Sequence, residues 1–109
     1  MTKRRVVVTG IGMLTPLGND VDTTWNNILA GKSGIADITR FDAKTFSTQF
    51  AGEVKDFNPE DYIAKKETKK MDRFIQFGIA AGIQALRDAQ IDIEKVDPER
   101  IGVATCSLY

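Results

Sequence analysis

The sequence predicts an α/β architecture, and three stretches carry that prediction. Near the start, Val6-Val7-Val8 is an apolar, β-branched run without alternation. That is the pattern of a strand covered on both faces, as in a parallel sheet flanked by helices. Near the end, Arg100-Ile101-Gly102-Val103-Ala104 reads in the same way. Between them, Lys69 to Gln90 places Met71, Phe74, Ile75, Gly78, Ile79, Gly82, Ile83 and Leu86 at a repeating three-then-four spacing, which forms one stripe along an α-helix. Strand, helices, strand is the order that a right-handed crossover connects.

Taken in order, the first strand is expected over Arg4–Thr9, ended by Gly10-Ile11-Gly12, whose glycines permit tight backbone geometry. Thr15-Pro16-Leu17-Gly18-Asn19 is turn chemistry. A short helix follows from about Val21 to Ala30, capped by Asp20 or Asp22, with Val21, Trp25, Ile28 and Leu29 on its apolar face. Gly31 stands where a left-handed C-cap is expected. Residues 35–58 hold Phe41, Phe46, Phe50 and Phe57, too many aromatics for a disordered linker, and read as an ordered loop with one short strand near Phe50–Val54. Asn58-Pro59-Glu60 starts a helix with Asn58 as N-cap and Pro59 in the first position. That helix holds Tyr62 and Ile63 and ends around Lys65-Lys66.

The central helix comes next and closes at Asp92. It contains no proline, and its Ala, Leu, Gln, Lys and Arg are good helix formers. Gly78 and Gly82 lie on its apolar stripe, each costing roughly 1 kcal/mol relative to Ala. The sequence therefore predicts that another backbone approaches there. Arg73, Gln76, Gln84, Arg87 and Asp88 fall mainly on the opposite side. Asp97-Pro98-Glu99 is a turn before the second strand. Two parallel strands with exposed edges make a poor independent sheet, so residues 1–109 read as part of a larger unit, with no second domain.

Composition narrows the function. The 109 residues fit one small domain, and fifteen basic and fifteen acidic side chains cancel, so no whole-molecule field draws the chain to nucleic acid. There is no histidine, which removes the commonest general base near neutral pH and the commonest metal ligand. The single Cys106 has no partner for an internal disulfide, which suits a reducing compartment. No apolar run approaches the ~20 residues needed to span a bilayer. Lys3-Arg4-Arg5 mimics the start of a signal peptide, but Thr9, Gly10, Gly12 and Thr15-Pro16 interrupt the apolar stretch after it. A cytoplasmic location is expected.

Three local features invite chemistry. Gly10-x-Gly12 after a strand resembles a dinucleotide fingerprint, yet position 15 is Thr, Pro16 follows, and no helix opens there. A strand-ending turn is the better account. Cys106 lacks the histidine or helix start that would activate a thiolate, so an inert side chain is the better reading. Lys65, Lys66, Lys69 and Lys70, with Arg73 one turn on, form the strongest charge feature. Two readings stay open for it: the solvated ends of two helices, or a surface that steers an acidic protein. Nucleic acid fits less well, because no aromatic platform accompanies the charges.

Read together, VVVTGIGMLTPLGN, then W-x-x-I-L-A-G-K-S-G-I, then R-F-D-A, then FAGEVKDFNPEDYI, then KKMDRFIQFGIAAGIQAL and RIGV resemble the amino-terminal part of β-ketoacyl-[acyl-carrier-protein] synthases. The elongating type II (KAS II) enzymes of bacterial fatty-acid synthesis are the nearest group. The resemblance covers residues 1 to about 104 and implies the N-terminal portion of a thiolase-like fold of layers α-β-α-β-α, incomplete in this chain, in a family of homodimers. It implies an acyltransferase that condenses an enzyme-bound acyl group with malonyl-carrier protein, using one cysteine and two histidines, and needing no cofactor and no metal. None of those three catalytic residues is matched here, and Cys106 does not correspond to the nucleophile. The chain alone is expected to be inactive. The resemblance assigns carrier-protein docking to Lys66, Lys69 and Lys70, with Lys65 as a neighbour, and acyl carrier protein as partner. Neither nucleic acid nor membrane is expected. The alternative is a non-catalytic docking or self-associating module. After Ala104 the family's Gly-Ser-Gly-type loop gives way to Thr105-Cys106-Ser107-Leu108-Tyr109.

Overall fold

The computed structural model describes residues 2–107; Leu108 and Tyr109, the last residues of the divergent tail, lie outside the described residues. The order is helix α1 (Val21–Leu29), strands β1 (Ile35–Asp37) and β2 (Phe50–Gly52), a 3₁₀ turn at Pro59–Asp61, helices α2 (Lys65–Thr68) and α3 (Arg73–Asp88), and a 3₁₀ turn at Pro98–Arg100.

Helix α1 starts where Asp20 is extended and its carboxylate accepts the Thr23 N–H at 2.7 Å. Asp20, not Asp22, is therefore the cap, and Asp22 adds negative charge to the first turn. The helix ends with Gly31 at φ 71°, while the Gly31 N–H donates to Ile28 O and the Lys32 N–H to Asn27 O, both at 3.0 Å. This left-handed closure is the one the glycine predicted. The expected apolar face is not buried: Trp25, Ile28 and Leu29 are exposed, and the buried residue is Thr24, whose hydroxyl meets that of Thr15 at 3.0 Å.

Strand β2 falls inside the expected segment, but its partner β1 was not legible. They pair antiparallel, with Ala36 opposite Ala51, and the Ile38 N–H extends the ladder to Gln49 O. In the connecting loop, Phe41 and Phe46 meet edge to face at 5.5 Å, and the Glu53 carboxylate accepts from the N–H and hydroxyl of Thr39 and the N–H of Arg40. Asn58 caps the 3₁₀ turn, its side chain accepting the Glu60 N–H at 3.1 Å. The helix expected to run on to Lys66 is broken at Ala64, whose ψ of 138° is extended.

The central helix is shorter than predicted. Asp72, with ψ 162°, blocks propagation from Lys69, so α3 begins at Arg73. At the other end Gln90 takes φ 56°; its N–H donates to Arg87 O and the Ile91 N–H to Leu86 O, which closes the helix before Asp92.

Neither Arg4–Thr9 nor Arg100–Ala104 forms a strand, and the only paired strands among the described residues are β1 and β2. Val6 is 93% exposed and Val103 87%. A strand is held by ladder hydrogen bonds to a neighbour, and these two segments have none among the described residues. The radius of gyration is 17.3 Å, where a compact chain of this size gives about 13 Å.

The close approach to α3 comes from an unexpected direction. A Cβ on Gly12 would collide with Ala81 O and lie 2.7 Å from Gln84 Cβ; one on Gly10 would collide with Ala85 O and lie 2.6 Å from Ala89 N. Residues 10–13 thus run antiparallel along α3 on its Ala81–Ala85–Ala89 face. Neither Gly10 nor Gly12 has positive φ, so their task here is proximity, not a turn. A Cβ on Gly78 or Gly82 would meet no atom within 4 Å, and Phe74, Ile75 and Leu86 beside them are exposed. Most of the predicted stripe lies open in this chain, with Met71, Ile79 and Ile83 half-buried, while Gln76 and Ala80 are the buried residues of α3.

Candidate functional site

The basic cluster sits where α2 turns into α3. Lys65 and Lys66 lie in α2, Lys69 is its C-cap residue and Lys70 follows. Lys65, Lys66, Lys69 and Lys70 are all exposed, and Glu67 and Thr68 between them are half-buried. Lys70 Nζ stands 4.0 Å from Glu67 Oε1, with both side chains open to water, a weak pair. Lys66 and Lys69 make no ion pair among the described residues. Four free or loosely held cations therefore lie within one short segment among the described residues.

Arg73 does not join them. Its guanidinium carbon lies 5.8 Å from the Phe57 ring centroid and 5.4 Å from that of Phe77, so it packs on an aromatic pair whose rings meet edge to face at 5.2 Å. Tyr62 stacks on Phe57 at 6.3 Å, and the Arg87 guanidinium covers Tyr62 at 5.7 Å. This aromatic cluster, with buried Ile63, flanks the basic turn in sequence on both sides.

Two carboxamides of α3 tie the region together. Gln76 is 6% exposed and donates from Nε2 to Thr68 O at 3.1 Å and Met71 O at 3.4 Å, the carbonyls that bracket Lys69 and Lys70. Gln84 accepts the Met13 N–H at 3.1 Å and donates to Asn19 O at 2.7 Å and the Tyr62 hydroxyl at 3.0 Å. The sequence pattern puts both glutamines on the outward side. What marks them is their spacing with Ala80: residues 76, 80 and 84 share one face, and small Ala80 lets the chain close over it.

Other chemistry is thin among the described residues. An open concavity of about 520 Å³ is lined by Arg40, Lys55 and Arg73 and by Asp37, Glu53 and Asp56, three charges of each sign, so it selects no ligand by charge. No group of three metal-ligating side chains is present, and no helix is long and apolar enough to cross a membrane. Cys106 is exposed, in a segment without regular structure. Gly10-x-Gly12, which faces α3, opens no helix and frames no phosphate site.

Residues 3–108 match the family model described as beta-ketoacyl synthase, N-terminal domain. The chain is 58% identical over 104 residues to 3-oxoacyl-[acyl-carrier-protein] synthase 2 of Vibrio cholerae serotype O1, covering 95% of this chain and 25% of that protein. It is 54% identical over 100 residues to the protein of the same name from Staphylococcus aureus strain COL, covering 92% and 24%. It thus spans about a quarter of the length of these relatives. Among solved structures, the ishigamide ketosynthase/chain length factor aligns over 87% of this chain and 24% of its own, with TM-score 0.78 and 36% identity. A type II PKS acyl-carrier protein in complex with its ketosynthase, bound to the hexaketide, aligns over 91% and 26%, with TM-score 0.66 and 29% identity. The α/β elements of this chain are therefore those of the ketosynthase, thiolase-like fold. The chain belongs to the beta-ketoacyl synthase family, matching the model of its N-terminal domain over residues 3–108.

Proposed function

We propose that this chain is the carrier-receiving, N-terminal part of an elongating 3-oxoacyl-[acyl-carrier-protein] synthase, and that Lys66, Lys69 and Lys70 receive the acidic carrier protein. The whole enzyme transfers an acyl group to its cysteine and condenses it with malonyl-carrier protein, as a cytoplasmic homodimer. Residues 1–109 contain no histidine, and their cysteine is exposed on an irregular segment, so they supply docking and scaffold and no acyl-transfer machinery. The observation that carries this reading is the lysine turn, held on one side by α2 and on the other by α3.

A titration of the chain with acyl carrier protein at several salt concentrations tests it. Binding that weakens steeply with salt, and disappears when Lys66, Lys69 and Lys70 are all changed to Glu, is the expected result. Binding indifferent to both changes refutes the docking role. Stable acylation of Cys106 by acyl-carrier protein refutes the reading that this part carries no transfer chemistry.

A further inference from the structure

We propose that Gln76 is the positioning residue of the basic turn: its buried carboxamide fixes the Thr68–Met71 backbone, and with it the places from which Lys69 and Lys70 meet an acidic carrier protein. The proposal rests on the docking reading above and adds to it a residue that the partner never touches.

The geometry is one-sided. Gln76 Nε2 donates to two main-chain carbonyls, Thr68 O and Met71 O, while Oε1 is buried without a hydrogen-bond partner. The reverse orientation of the amide would set oxygen against two acceptor-only carbonyls, so the donor side must face the turn. A methionine or leucine here would fill similar space without burying an unpaired amide oxygen. A carboxamide at this position is thus a poor choice for packing alone and a good one for holding two carbonyls.

The turn's other restraints are local to it: the Lys70 N–H donates to Glu67 O at 3.0 Å and the Thr68 hydroxyl to Lys65 O at 2.7 Å, whereas Gln76 ties it to α3. Helix α2 is four residues long and has no side-chain N-cap bond. The Met71 N–H reaches Thr68 O at 3.3 Å, and the Lys70–Glu67 pair is long and exposed. Lysine stems are rich in rotamers, so a wandering backbone beneath them would add to what binding has to order. Fixing Lys69 and Lys70 at the main chain lowers that cost before the partner arrives.

Gln76→Met keeps the length of the side chain and removes both donated bonds. Relative to wild type, it is expected to bind acyl carrier protein about three- to tenfold more weakly, with a shallower salt dependence. Amide exchange at Lys69, Lys70 and Met71 should quicken while protection across Ala81–Arg87 is kept. Unchanged exchange at those three amides, or unchanged affinity, overturns the proposal. Faster exchange there, with a wild-type chain that binds no carrier protein, upholds the positioning and refutes the docking reading alone. If the variant loses protection throughout α3, the wild-type chain decides by NMR. The Gln76 side-chain amide resonances should move together with the Lys69 and Lys70 backbone amides as carrier protein is added. Side-chain resonances that stay fixed while those amides shift overturn the proposal.

Discussion

The Ile11 N–H donates to the Asp88 carboxylate at 2.9 Å, joining residues 77 positions apart. Two residues on, the Met13 N–H donates to Gln84, and between these bonds Gly12 lies against Ala81. Helix α3 is therefore the bed on which the amino-terminal segment lies, and the same helix holds the basic turn through Gln76. One rod fixes both.

The glycines divide by role. Gly12→Ala should lower stability by about 1–3 kcal/mol, because its methyl would meet the α3 backbone, which does not give way. Gly78→Ala meets open space and should raise stability by about 0.4–1 kcal/mol through helix propensity and reduced unfolded-state entropy. Urea midpoints of the two variants check both signs.

Gln84→Leu should cost about 1–3 kcal/mol, since it strands the Met13 N–H and the Asn19 carbonyl in a half-buried site. Tyr62→Phe removes a single bond of that network and should cost about 0.5–1.5 kcal/mol. Comparing the double variant with the two single ones shows how far they act as a unit.

At the end of α3, Gln90 adopts a left-handed conformation that disfavours a side chain. Gln90→Gly should stabilise the chain by roughly 1 kcal/mol without moving the helix end. Thermal denaturation reads the gain, and protection of the Ile91 amide reports the closure.

Three donors on the Glu53 carboxylate, the Thr39 N–H first among them, hold its pKa below the usual 4.5. A carboxyl depressed on folding stabilises above its unfolded pKa, and that support is lost as pH falls through the lower folded value. Amide exchange at Thr39 and Arg40, corrected for its intrinsic pH dependence, should therefore quicken only once the pH falls below the usual carboxylate value. Glu53→Gln should show quick exchange at neutral pH as well.

Local chemistry was legible where a residue acts on its own neighbours. Asp20 caps α1, Gly31 closes it, and Asn58-Pro59 opens a 3₁₀ turn. Partners far along the chain were not legible. Val6–Val8 has strand chemistry, but a strand exists only with a neighbour, and none of the described residues supplies one. Periodicity located α3 but did not mark the face that this chain itself covers, where Gln76, Ala80, Ala81 and Gln84 are small or amidic enough for a backbone to close over. The lysines of the basic turn were visible as charge, whereas Gln76 behind them carried no signal except its register with Ala80.

Residue-by-residue NMR mapping of a carrier-protein titration tests most directly the proposed docking of an acyl carrier protein at the turn Lys66–Lys70. Shifts should concentrate on Lys66, Lys69, Lys70 and Met71, fade as salt is raised, and leave the β1–β2 hairpin unmoved. Shifts gathered instead on Phe74, Ile75 and Leu86 along the open face of α3, or no shifts at low salt, would contradict it.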